Sequence, residues 1–121
     1  MIGVGIDLVE MDRFRMALDR TPGIIGRCFT EDEQVYALKK RDPTERFAVR
    51  FAAKEAVMKA MGVGIGEVRL RDIEVRRDGS GRPSVLLHGT AADKANELGI
   101  TEWKLSLTHA AHAAEAIAIA L

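Results

Sequence analysis

The chain has 121 residues, 18 of them Lys or Arg and 18 Asp or Glu, so its formal net charge is zero. This length suits one domain over residues 1–121, and the charge balance excludes a general electrostatic attraction to nucleic acid or to an anionic membrane surface. The single cysteine, Cys28, excludes an internal disulfide and a cysteine-based zinc site, and we expect it to be a small buried residue.

The first segment predicts a strand over residues 2–9, without a signal peptide before it. One face of this strand carries four aliphatic residues, Ile2, Val4, Ile6 and Leu8, and we expect that face to lie in the core. The other face carries Gly3, Gly5 and Asp7, where the glycines permit another element to approach closely. No run reaches the roughly 20 apolar residues of a membrane span, so we expect a cytoplasmic protein.

Two helices are predicted next. Residues 10–20 place Met11, Phe14 and Leu18 on one face, and the sequence TPGIIGR then breaks the helical pattern. A second helix begins at Thr30, with Glu33 three residues later, which is the pattern of a capping box.

The longest helix is predicted from Asp42 to Met61. Asp42 and Glu45 form an Asp-x-x-Glu box at its start, and Gly62 follows its end. The glycines of GVGIG permit a turn after this helix, although their backbone N–H groups are also able to form a nest for an anion.

This helix has two apolar arcs separated by two charged stripes. One stripe holds Arg50 and Lys54, and the other holds Glu55 and Lys59. Glu55 and Lys59 have the spacing of an ordinary surface ion pair. Alternatively, the stripe lies in a seam that excludes water, where a metal ion and an anionic ligand would satisfy both charges.

The second half predicts mainly strands. Two strands flank the turn RDGSGRP, and a short helix over residues 90–98 ends near Gly99. Two more strands surround a turn near residues 111–114, where the alanine content leaves a helix as the alternative. His109 ends the first of these strands, a position where histidine is more often structural than catalytic. The whole pattern is that of an α+β domain.

Four motifs in order carry a resemblance: GVGIDLVEMDRF, RFAAKEAVMKAMGVGIG, DIEVRRDGSGRP and LSLTH. Together they resemble the holo-(acyl carrier protein) synthases, the small type of 4′-phosphopantetheinyl transferase. The resemblance implies a mostly antiparallel sheet packed against a long central helix and shorter helices. It also implies a homotrimer with active sites between subunits.

The resemblance implies a reaction as well. Such enzymes transfer the 4′-phosphopantetheine group of coenzyme A to a serine of apo acyl carrier protein in fatty acid biosynthesis, and release adenosine 3′,5′-bisphosphate. By this resemblance Asp7 and Glu55 bind Mg²⁺, and Lys59 contacts the phosphates. Six positions match the family's coenzyme A site: Arg50, Lys54, Gly62, Arg82, Pro83 and His109. Arg13 matches the arginine that contacts the carrier protein, and Arg20 adds positive charge nearby.

Three alternatives stay open. A different Mg²⁺-dependent phosphoryl-transfer or hydrolytic enzyme would reuse the carboxylates, and a non-enzymatic module would keep Glu55 and Lys59 as a structural pair. A transferase domain of a larger synthase is the third, although Met1 and the early strand favour a stand-alone chain.

Overall fold

Five strands and five α-helices occur in the part of the chain that a computed structural model describes, residues 1–64 and 66–121. The strands are β1 (Gly3–Glu10), β2 (Ile73–Arg77), β3 (Pro83–Leu87), β4 (Trp103–His109) and β5 (Ala113–Ala120). The helices are α1 (Met11–Arg20), α2 (Ile24–Cys28), α3 (Glu31–Ala37), α4 (Thr44–Met61) and α5 (Gly89–Leu98), and a 3-10 turn (Leu70–Asp72) precedes β2.

All strand pairs are antiparallel among the described residues. One sheet has the order β1-β5-β4, and the other consists of the hairpin β2-β3. The long helix α4 packs against β1 and β5 and contributes more residues to the core than any other element. The α+β architecture with a long central helix is therefore confirmed. No helix in residues 1–64 or 66–121 has the length and apolarity to cross a bilayer.

The local signals at helix ends are mostly confirmed. The hydroxyl oxygen of Thr30 accepts the Glu33 N–H at 3.2 Å, while Glu33 Oε1 accepts the Thr30 N–H at 2.9 Å. Gly62 ends α4 with φ of 69°, in the left-handed region that favours glycine. The Asp42 box is wrong in its second half: Asp42 accepts the Thr44 N–H at 3.1 Å, whereas Glu45 pairs with Lys40 at 3.6 Å.

One detail differs from the sequence prediction, and one open alternative is decided. The segment TPGIIGR, predicted as a break, contains most of the short helix α2. The carboxyl-terminal segment forms β4 and β5, which resolves the strand-or-helix alternative in favour of strands. The burial of β5 alternates with period two, as in a strand with one face in the core. The buried positions are alanines, whose small side chains permit close packing against α4.

The two faces of β1 are reversed relative to the sequence prediction. The glycine face packs against α4: a Cβ on Gly3 would lie 1.9 Å from the carbonyl oxygen of Ala60, and one on Gly5 would lie 2.0 Å from that of Ala56. The aliphatic face points outward, and its four residues, Ile2, Val4, Ile6 and Leu8, are 45–60% exposed. The prediction that this face lies in the core of the chain is therefore wrong. Glycine is required at these two positions, because any Cβ atom there would overlap the backbone of α4.

Candidate active site

Asp7, Glu55 and Lys59 come together where β1 crosses α4. Because Gly5 permits close contact with α4, the carboxylate of Asp7 reaches Lys59 Nζ at 3.0 Å. Lys59 Nζ also donates to the carbonyl oxygen of Ile6 at 2.9 Å. Lys59 therefore bonds to β1, and the i,i+4 pair with Glu55 is not formed among the described residues.

Glu55 is half-buried, as is Asp7. Its burial, followed by the negative charge of Asp7, raises the pKa of Glu55, and the positive charge of Lys59 partly opposes the rise. Both carboxyl groups line a cleft of about 430 Å³, which we call the carboxylate cleft. Its other walls include Arg13 and Phe51.

The carboxylate cleft fits a hard divalent cation. A cation near Asp7 and Glu55 would stabilise the ionised form of Glu55, which burial and, to a smaller extent, the charge of Asp7 disfavour. Oxygen ligands suit Mg²⁺, which commonly takes one or two carboxylates and completes its shell with water and substrate phosphates. In residues 1–64 and 66–121 no group of three or more potential metal-ligating side chains occurs, so protein ligands alone would not enclose the ion.

A second cleft begins on the other side of Glu55. It measures about 630 Å³ and has apolar walls that include Met58, Val68 and Leu70. Cys28 also lines this cleft and is half-buried, so the prediction of a buried cysteine holds in part. Burial raises the pKa of the Cys28 thiol, which favours its neutral and less reactive form.

Arg50 lies in a separate cationic pocket of about 320 Å³. The pocket is lined by residues of several elements: Tyr36, Lys40, Glu45, Arg46, Val49, Arg50, Arg77, Leu107 and His109. The prediction from sequence included Arg50 and His109 but missed Tyr36, Arg46 and Arg77. Arg46 precedes Arg50 by four residues on α4, so helical periodicity was a usable signal for it. Tyr36 and Arg77 have no such signal.

Lys54 lies in the interior rather than in this pocket. Its ammonium group contacts Glu33 Oε1 at 2.7 Å, the carbonyl oxygen of Leu70 at 3.1 Å and that of Ile73. An ammonium group has three donors, and these three acceptors use them all. Burial lowers the pKa of Lys54, and the charge of Glu33 opposes that change. These contacts favour a structural role over the predicted contact with coenzyme A.

The predicted carrier-protein contacts lie along α1. Arg13 lines the carboxylate cleft, forms a 3.5 Å pair with Glu10 and has a largely exposed side chain. Arg20 is the last residue of α1 and is exposed. Arg15, on the same helix, donates to Asp42 Oδ2 at 2.8 Å, so part of its charge is neutralised. Of these three arginines of α1, Arg13 is the one that lines the cleft with the two carboxyl groups.

Three other predicted positions lie outside the clefts described above. Arg82 and Pro83 belong to the β2–β3 hairpin, where the N–H of Arg82 donates to Asp78 Oδ1 at 3.1 Å. The N–H of Gly62 donates to the carbonyl oxygen of Lys59, consistent with the cap role. In the same turn the N–H of Gly64 donates to Glu67 Oε1 at 3.1 Å. These N–H groups are paired within the chain, and residue 65 of the same motif lies outside the described residues.

Comparison with known proteins shows the family of this chain. The family model of the 4′-phosphopantetheinyl transferase superfamily matches residues 3–119. A holo-[acyl-carrier-protein] synthase from Moorella thermoacetica is 44% identical over 98% of this chain and 93% of its own length. The structure of a holo-[acyl-carrier-protein] synthase from Neisseria meningitidis matches with a TM-score of 0.91 and 31% identity, over 100% of this chain and 99% of that one.

The synthase from Helicobacter pylori, solved in complex with coenzyme A, matches with a TM-score of 0.85 and 28% identity, over 98% of this chain and 99% of that one. The family match covers nearly the whole chain, and the sequence and structural relatives agree in kind. The chain belongs to the 4′-phosphopantetheinyl transferase superfamily.

Proposed function

We propose that this protein transfers the 4′-phosphopantetheine group of coenzyme A to a serine of apo acyl carrier protein, and so supports fatty acid biosynthesis. The products are holo acyl carrier protein and adenosine 3′,5′-bisphosphate. The observation that carries the proposal is the convergence of Asp7 and Glu55 at one cleft, with Lys59 bonded to Asp7, in a chain whose relatives are named holo-[acyl-carrier-protein] synthases.

The reaction needs a proton acceptor and compensation of negative charge. The serine oxygen forms a bond to the phosphorus that carries pantetheine, and the bond from that phosphorus to the bridging oxygen of the diphosphate breaks. Catalysis of such a displacement depends mainly on positioning and charge stabilisation. Lys59 supplies a fixed positive charge. Glu55 is our candidate acceptor of the serine proton, because it lines the carboxylate cleft and forms no ion pair among the described residues.

Mg²⁺ is the cofactor that this site fits. Asp7 and Glu55 would hold it, and bound Mg²⁺ would neutralise negative charge on the diphosphate. The placement of the two carboxyl groups in one cleft supports this assignment, because oxygen ligands suit Mg²⁺.

The nucleotide part of coenzyme A fits the cationic pocket. That pocket is lined by three arginines and a histidine: Arg46, Arg50, Arg77 and His109. One arginine side chain is able to donate to two oxygens of a phosphate at the same time. Arg50 lines this pocket although its side chain is only 4% exposed, so its guanidinium group is held by the surrounding protein. Arg82 and Pro83 stay predictions for the adenine, since they lie on the hairpin outside the pocket.

The acyl carrier protein fits the outer rim of the carboxylate cleft. Apolar residues of α1 and α4, Phe14 and Phe51, line the cleft beside Arg13, and their rings are 5.4 Å apart. An apolar surface next to exposed arginine suits an acidic partner. Arg20 extends the positive charge to the end of α1.

A homotrimer would explain two features of the single chain. First, Val4 and Ile6 of β1 are exposed beside Ile117 of β5, and soluble monomers rarely expose such continuous apolar surface. Second, the carboxylate cleft and the cationic pocket share no lining residue. A second copy that packs on this sheet would allow one chain's cleft and the next chain's pocket to form a joint site. The cytoplasmic location stays a prediction from the sequence.

Intact-mass analysis of apo acyl carrier protein tests the proposal. The carrier protein is incubated with this protein, coenzyme A and Mg²⁺, and EDTA is added to a parallel sample. We expect a mass gain of one phosphopantetheine group that EDTA abolishes. An unchanged mass with a carrier protein that another transferase modifies would refute the activity. A gain that persists in EDTA would refute the metal dependence alone.

A further inference from the structure

Tyr36 of α3 is in contact with two guanidinium groups of α4. The Cζ atoms of Arg46 and Arg50 lie 4.2 Å and 4.3 Å from the centroid of the Tyr36 ring. Two hydrogen bonds fix this arrangement: Arg46 Nη1 donates to the Tyr36 carbonyl oxygen at 2.7 Å, and Arg50 Nη1 donates to the Arg46 carbonyl oxygen at 3.2 Å. One aromatic ring therefore holds two cations of the cationic pocket.

This arrangement needs a physical cause. Arg46 and Arg50 are four residues apart on one helix, and like charges at that spacing repel each other. Burial lowers the pKa of Arg50, and Tyr36 is the first of the groups that oppose this change. The electron-rich face of an aromatic ring attracts guanidinium groups, most strongly where water is scarce. Tyr36 thus offsets the cost of a buried arginine next to another arginine.

The hydroxyl end of Tyr36 also faces positive charge. Partial burial acts to raise the pKa of Tyr36, yet the charges of Arg77, Arg46 and Arg50 lower it. Tyr36 lines the cationic pocket and also a second, adjacent cleft. Arg50 and Arg77 line both of these as well. Arginines of two separate elements, α4 and β2, are therefore arranged around one side chain.

We propose that Tyr36 is a positioning residue, which holds Arg46 and Arg50 side by side so that they bind one phosphate of the nucleotide together. The proposal rests on the function proposed above. We assign that phosphate as the 3′-phosphate of coenzyme A, so that Tyr36 determines the preference for coenzyme A over 3′-dephospho-coenzyme A.

The test compares Tyr36→Leu, which removes the ring, with Tyr36→Phe, which keeps it. KM and kcat are measured with coenzyme A and with 3′-dephospho-coenzyme A. We expect Tyr36→Leu to raise KM for coenzyme A roughly tenfold, as the loss of contacts to two partly desolvated cations implies. We expect kcat and the KM for 3′-dephospho-coenzyme A to change little. Tyr36→Phe should retain the preference, as should Val35→Ala, a control at the neighbouring exposed position of α3.

Arg46→Gln provides a second route if Tyr36→Leu does not fold. Arg46 is only partly buried, and its loss should reduce the same preference. Equal preferences in Tyr36→Leu, Arg46→Gln and the unsubstituted protein would overturn the proposal. The proposal would also be overturned if Tyr36→Leu had a lower kcat with both substrates and a lower melting temperature, because that result indicates a merely structural role.

If the unsubstituted protein transfers nothing, the proposed function fails first. Calorimetric binding of adenosine 3′,5′-bisphosphate then decides the role of Tyr36. Weaker binding to Tyr36→Leu than to Tyr36→Phe supports it, and equal binding refutes it.

Discussion

Lys59 Nζ lies 3.0 Å from Asp7 Oδ1, although Glu55 precedes Lys59 by one turn of the same helix. The lysine therefore joins β1 to α4, and Glu55 forms no ion pair among the described residues. Helical spacing alone favours the opposite pairing. The consequence for catalysis is that Glu55 remains available to a cation or a proton.

Replacement of Glu55 by Gln should greatly reduce turnover. A lost general base typically lowers the rate roughly 100- to 10,000-fold, and here a metal ligand would be lost as well. Turnover is measured by the mass gain of the carrier protein, and circular dichroism reports folding. Glu97→Gln, an exposed change on α5, is the control and should behave as the unsubstituted protein. Near-normal turnover of Glu55→Gln would remove Glu55 from the mechanism.

The stability of the metal-free protein should depend on Glu55 in a defined pH range. The pKa of Glu55 is raised above its ordinary 4.5, so the folded state holds this proton more tightly than the unfolded state. The favourable contribution of the protonated group is complete below pH 4.5 and is lost as the pH rises through the folded-state pKa. Glu55→Gln should therefore match the parent at acidic pH and exceed its melting temperature at neutral pH.

Thermal melts in EDTA across this range measure the effect. A neutral-pH melting temperature of Glu55→Gln below that of the parent would contradict the direction. In activity assays with Mg²⁺ the rate should also fall at acidic pH, because the metal ligands and the proton acceptor must be ionised. A bound cation favours the ionised carboxylates, so this fall should occur at a lower pH than the stability change of the metal-free protein.

Lys54→Met should destabilise the fold without weakening the affinity for coenzyme A. The side chain is fully buried, and its loss leaves Glu33 charged in the interior without a cation. Removal of one partner from a buried pair costs about 3–5 kcal/mol of unfolding free energy. Urea denaturation measures this cost, and Lys94→Met on α5 serves as the control. An unchanged stability with a raised KM would instead place Lys54 at the nucleotide.

Gly5→Ala should separate β1 from α4. The new methyl group would lie 2.0 Å from the carbonyl oxygen of Ala56, a backbone atom that is unable to move alone. We expect the unfolding free energy to fall by at least about 1–3 kcal/mol. We also expect a loss of activity, because Asp7 would be displaced with β1. Gly26→Ala is the matched control, because no atom lies within 4 Å of its added Cβ. Equal stability of the two variants would refute the close contact.

Ile6→Glu should abolish the proposed trimer. Ile6 is 55% exposed on β1, opposite Ile117 of β5, so a charge there hardly affects the monomer but is costly in an apolar interface. Light scattering should give a mass of three chains for the parent and of one chain, 13.3 kDa, for the variant. Val35→Glu, at an exposed position of α3, should leave the trimer intact. A monomeric parent with full activity would refute the intersubunit site.

The sequence by itself determined the features that depend on neighbours along the chain. The Thr30–Glu33 box and the glycine after α4 follow from hydrogen bonds within one helical turn. The strands near the carboxyl terminus follow from alternation of period two. The motif order also identified the family, and with it the carboxylate pair Asp7 and Glu55.

Tertiary structure decided the relationships that span the chain. Alternation divides β1 into two faces but does not say which one packs inward, and the close contact at Gly3 and Gly5 reversed the expected choice. Lys54 is bonded to Glu33, 21 residues away, and Lys59 to Asp7, 52 residues away. The energy of a charged side chain depends on burial and on the nearest opposite charge, and packing of distant segments determines both.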